Sequence, residues 1–129
     1  MKVLEKAHIM KFNKSQSVKR EKEILDKFKH HPNIIYLECV FQDKLNLYFV
    51  FENCPNGTLA NLIKINRKIL VSDYIFIDHL SEQVTKIYAA ELISVLECIH
   101  YNNVMHRDLK PENVLITKDF HLKVVSFSM

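Results

Sequence analysis

Gly57 is the only glycine among 129 residues. A loop that brings backbone close around phosphate groups needs several glycines, so this chain contains no such loop. Cysteine is nearly as scarce. Cys39, Cys54 and Cys98 are odd in number, widely separated and without a C-x-x-C pair, which argues against a disulfide framework and gives no zinc-binding spacing. A reducing intracellular compartment suits them. No apolar run is long enough for a secretion signal or a bilayer span, and the amino terminus is charged at once through Lys2, Glu5 and Lys6. The expectation is a cytoplasmic protein with no membrane segment. Neither sign of charge dominates: 18 basic and 15 acidic residues are interspersed and leave a net +3. A nucleic-acid surface is therefore not expected, and no electrostatic partner is implied.

A chain of this length suits one domain, which hides about two-thirds of its unfolded surface on folding. Met1 to Leu4 reads as a short strand. A helix is expected from Ser15 or Ser17 to Lys29, with Val18, Ile24, Leu25 and Phe28 on one face. Glu21 shares that face and needs a cation there, either Lys2 or a neighbouring lysine. Ile34 to Phe41 and Leu45 to Phe51 read as a hairpin across Gln42-Asp43-Lys44. A turn-rich connector follows from Glu52 to Gly57. Thr58 to Arg67 is an expected short helix, and Ser81 an expected cap for a long core helix ending near Tyr101. Val114 to Ile116 and His121 to Val125 pair across Thr117-Lys118-Asp119. The six histidines outside the motif described next form no metal-ligand pair.

The chemistry lies in His106-Arg107-Asp108-Leu109-Lys110-Pro111-Glu112-Asn113, a polar octet on a loop between a helix and a strand. A loop anchored at both ends by rigid elements can hold reactive groups in register. Asp108 can accept a proton from an attacking hydroxyl. Asn113 offers a neutral amide oxygen to a metal ion, and Lys110 lies between them, where a cation could meet a phosphate.

This octet resembles the catalytic loop of protein kinases, H-R-D-L-x-x-x-N, and a lysine two residues after the aspartate is the serine/threonine form. Met1 to Met10, Val18 to Glu21 and Phe41 to Asp43 look most like the AGC group, nearest the phosphoinositide-dependent kinases. The resemblance implies an α+β, protein-kinase-like fold that is incomplete. Residues 1–51 would be part of the small lobe with its C-helix, 52–57 the hinge, and 58–129 the start of the large lobe through the catalytic loop. It implies ATP and Mg2+ as cofactors and a protein as substrate. Lys2 would position phosphates and Glu21 orient Lys2. Asp108 would be the base, Lys110 would steady the γ-phosphate and Asn113 would hold magnesium. Arg107 would receive an activation-loop phosphate. Around the nucleotide, Phe51 would be the gatekeeper, the backbone of Glu52 and Cys54 would bond adenine, Thr58 would sit near the ribose and Leu115 would form the adenine floor. Leu25, Leu37, His106 and Phe127 would form the family's regulatory spine. A docking groove for a hydrophobic, phosphorylated peptide motif would use Lys6, Ile9, Met10, Lys22, Val40, Gln42 and Leu47.

The chain departs from the pattern in four ways. It is expected to lack a glycine-rich loop and an activation segment. Ser126-Phe127-Ser128 stands where kinases carry D-F-G, so magnesium is expected to bind weakly. The stretch from 70 to 78 is longer and more apolar than the pattern expects. A non-catalytic remnant or pseudokinase that docks peptides is therefore the alternative expectation.

Overall fold

The computed structural model describes residues 1–66, 70–71, 75–76 and 80–125. Three strands form an antiparallel sheet in the order β1-β3-β2, where β1 is Lys2–Glu5, β2 is Leu37–Gln42 and β3 is Asn46–Phe51. Lys2 pairs with Phe49 and Leu4 with Leu47, so the period of two turns Lys2 and Leu4 inward while Val3 and Glu5 face water. The turn between β2 and β3 is held by Asp43, whose carboxylate accepts from the amides of Leu45 at 2.7 Å and Asn46 at 2.6 Å.

A short helix, α1, occupies Lys6–Lys11 and was not expected from the sequence. None of its residues is buried, so apolar periodicity gave no signal for it. Backbone bonds close its end: Lys14 N donates to Ile9 O at 2.9 Å and Asn13 takes a φ of 51°. Helix α2, Ser15–Lys27, buries Glu21, Ile24 and Leu25. It ends two residues before the expected Lys29, with Phe28 as its cap.

The hairpin is shorter than its apolar pattern. Ile34 and Ile35 belong to the hydrophobic run but leave β2 to join the strand β7, Leu122–Val124. Ile35 N donates to Val124 O at 3.0 Å, and Val124 N to Asn33 O at 2.8 Å. Apolar residues reveal that a strand is buried but not which edge it will meet.

Helix α3, Leu59–Asn66, follows the connector, and the insertion contains two paired two-residue strands, β4 (Leu70–Val71) and β5 (Ile75–Phe76). The rest of that stretch lies outside the described residues. Helix α4, Glu82–Tyr101, starts at Ser81, whose hydroxyl accepts from Val84 N at 3.3 Å. Strand β6, Val114–Ile116, pairs antiparallel with β7. One core joins α2, the sheet, α4 and the β6–β7 pair through Leu25, Ile35, Phe49, Ile99, Val114 and Leu122. Among the described residues, no helix is long and apolar enough to cross a membrane.

Candidate active site

A tight turn and a 3₁₀ turn at Pro111–Asn113 shape the 106–113 loop between α4 and β6. Arg107 adopts a φ of 64°, a left-handed conformation that costs energy for a residue with a Cβ and is tolerated where the surroundings enforce it. His106 anchors the loop. It is 2% exposed, its Nε2 faces Val125 O at 3.1 Å and its Nδ1 accepts from Asp108 N at 3.4 Å. Those contacts fit a neutral ring protonated on Nε2, and burial pushes its pKa below the ordinary histidine value.

Asp108 is gripped from two sides. Lys110 Nζ lies 2.9 Å from Oδ1. Asn113 Nδ2 donates to Oδ2 at 2.9 Å and to the Asp108 carbonyl at 2.8 Å. The Lys110 bond, aided by Asn113, holds the carboxyl below the usual aspartate range, so Asp108 is ionised at neutral pH. With its nitrogen on Asp108, Asn113 keeps its oxygen as an acceptor.

The second cluster crosses from β1 to α2. Lys2 Nζ donates to both Glu21 oxygens, at 2.7 and 2.9 Å. This brings together two residues 19 apart in sequence, and Glu21 meets Lys2 rather than a neighbouring lysine.

Lys2 also borders a cavity of about 320 Å³ lined by Met1, Lys2, Ile35, Phe51, Glu52, Asn53, Cys54, Leu115 and Val125. Five residues expected near a nucleotide, Lys2, Phe51, Glu52, Cys54 and Leu115, thus converge on one space. Thr58 is not in the lining. It forms a bridge with Leu115, and its hydroxyl accepts from Asn61 N at 3.1 Å, capping α3. Glu52 N is already bonded to Tyr36 O at 3.0 Å, which leaves its carbonyl as the group available to a base edge. Burial raises the Cys54 thiol pKa, so this cysteine is a neutral wall rather than a nucleophile.

The sequence reading gave Glu52 a backbone role only. Its side chain takes Lys123 Nζ at 2.7 Å and Tyr36 N at 2.7 Å, fastening the connector to both β7 and the start of β2. Ile35 and Val125 were also missed as lining residues, because an apolar strand residue carries no mark of what it faces. Ser126 and Phe127 lie outside the described residues. Leu25 and His106 are buried and Leu37 packs against the core.

The expected peptide groove is less assembled. Lys6 Nζ donates to Asp43 O at 2.6 Å, Leu47 packs against the core and Met10 is 77% exposed. A cavity of about 280 Å³ includes Lys22 and Val40 but none of Ile9, Met10 or Leu47.

Among the described residues, no group of three or more His, Cys, Asp or Glu side chains could hold a metal ion. The donors that fit magnesium are the Asn113 oxygen and an Asp108 carboxylate already shared with Lys110 and Asn113.

The protein kinase domain model matches residues 1–129. The 3-phosphoinositide-dependent protein kinase B of Dictyostelium discoideum is 43% identical over 126 residues, covering 98% of this chain and 13% of that protein. The 3-phosphoinositide-dependent protein kinase 1 of Arabidopsis thaliana is 40% identical over 127 residues, covering 98% and 23%. Its Homo sapiens namesake is 39% identical over 127 residues, covering 98% and 21%. The chain thus spans less than a quarter of the length of each of these three relatives.

Proposed function

Because this chain belongs to the protein kinase family, we propose that it serves serine/threonine phosphoryl transfer from ATP to a protein hydroxyl. The observation that carries the proposal is Asp108 held ionised between Lys110 and Asn113. In this reading adenine occupies the cavity beneath Phe51 and above Leu115, bonded by the Glu52 carbonyl and the Cys54 amide. Lys2, aligned by Glu21, meets the α- and β-phosphates. Asp108 takes the proton from the attacking hydroxyl, and Lys110 turns from Asp108 towards the γ-phosphate. Such catalysis is positioning and charge stabilisation rather than covalent chemistry. Magnesium, when bound, would neutralise phosphate charge, and Asn113 would be its ligand here. The test is radiolabel transfer from ATP to a protein substrate by the intact protein and by Asp108→Ala. Loss of transfer in the variant is expected, and equal transfer by both overturns the role of Asp108.

A second reading is a non-catalytic member of the family that retains the fold for binding proteins. Ser126 favours it, because a hydroxyl cannot supply the anionic magnesium ligand that D-F-G provides. Calorimetry separates the two. Under the second reading magnesium strengthens ATP binding by less than about tenfold, or ~1.4 kcal/mol. A larger gain refutes it.

A further inference from the structure

Residues 6 to 20 hold Lys6, Lys11, Lys14, Lys19 and Arg20 and not one of the chain's 15 acidic residues. The stretch is more positive than the whole chain at +3. The structure folds it into the corner between α1 and α2 and leaves Lys11, Lys14, Lys19 and Arg20 exposed. Among the described residues none of these four makes an ion pair.

Two large apolar side chains project from this corner. Met10 is 77% exposed and Phe12 54%. Phe12 is not a frayed end. Its amide donates to His8 O at 3.2 Å, its ring lies 4.6 Å from that of His8, and Lys11 and Lys14 place their ammonium groups 5.6 and 5.7 Å from the ring centre. A capped turn therefore holds an aromatic side chain outward with cations around it.

We propose that this corner is a peripheral docking surface for an anionic phospholipid bilayer, with Phe12 and Met10 entering the interfacial layer and the surrounding lysines meeting headgroup phosphates. The shape selects a bilayer over a peptide. Phe12 and Met10 protrude and line none of the cavities described, whereas a peptide motif needs a concave receptor. A bilayer is deformable, takes in an isolated aromatic tip and presents the negative potential that a lysine-rich cluster seeks. The inference does not depend on the catalytic reading, and its test contains no nucleotide.

The experiment is co-sedimentation of the intact protein with vesicles of phosphatidylcholine alone or of phosphatidylcholine mixed with phosphatidylserine. Binding is expected to the mixed vesicles only and to fall in high salt, which screens exposed charge. Each lysine near the surface contributes about fivefold to such partitioning, so Lys11→Glu with Lys14→Glu should weaken it by at least about twentyfold. Phe12→Ser should weaken it as well. All three positions are exposed, so the circular dichroism spectrum should not change. No binding, equal binding to both vesicle types, or binding unaffected by the double substitution overturns the proposal. Release from mixed vesicles by a soluble aromatic-rich phosphoserine peptide also overturns it, because the corner would then be a peptide site.

Discussion

Lys2 and Glu21 are bonded to each other but are not equally dependent on the bond. Glu21 keeps 10% of its side-chain surface exposed and Lys2 36%. Lys2→Met strands a nearly buried carboxylate on the apolar face of α2, beside Ile24 and Leu25. Removing one partner from a fully buried pair costs about 3–5 kcal/mol. Because Lys2 is partly solvated, we discount this to about 2 kcal/mol. Glu21→Gln instead leaves a lysine that can extend its ammonium into water while its stem stays in place, at a cost of about 0.5–1 kcal/mol. For a domain of this size each kcal/mol moves the melting midpoint by about 4 °C. The expected falls are thus about 8 °C for Lys2→Met and about 3 °C for Glu21→Gln. The double variant Lys2→Met with Glu21→Leu, which removes both charges and restores apolar contact, should recover most of the larger loss. Thermal unfolding followed by circular dichroism reads all three. Equal losses in the two single variants, or a double variant no better than Lys2→Met, would refute the argument that burial of the carboxylate dominates.

Gly57→Ala should cost about 1 kcal/mol, read by urea unfolding. Its φ of +72° penalises a side chain even though the added Cβ would meet only Asn61 Nδ2 at 3.7 Å. Burial lowers the His106 pKa, so the folded state binds a proton less readily than the unfolded one. Its contribution is whole above the unfolded value near 6.5 and is lost as pH falls through the lower folded value. Denaturation curves from pH 7.5 to 5 should show stability falling in the native protein and a flatter profile in His106→Gln. Ser126→Asp should make ATP binding more dependent on magnesium, by at least about tenfold in calorimetry, by adding the anionic ligand that the native residue lacks.

What was legible in the sequence was local. The order of Asp108, Lys110 and Asn113 placed a carboxylate, a cation and an amide on one loop, and the structure holds them within hydrogen-bonding distance. A short loop between fixed ends leaves such groups few ways to separate. Ser81 capped α4, and the stripe of Glu21, Ile24, Leu25 and Phe28 gave both α2 and its buried carboxylate, because a helix projects its own periodicity. Tertiary structure decided the pairings. Ile34 and Ile35 read as hairpin residues until β7 offered them hydrogen bonds. Lys123 stands 71 residues from Glu52 in sequence yet lies 2.7 Å from it in the fold, and nothing in the local pattern of either could specify the other. The charge of the α1–α2 corner shows the same division. Its lysines are plain in the sequence but disappear into a balanced total. Folding packs Glu21 inward against Lys2 and leaves Phe12 outside, and so sets an apolar tip within this lysine-rich stretch.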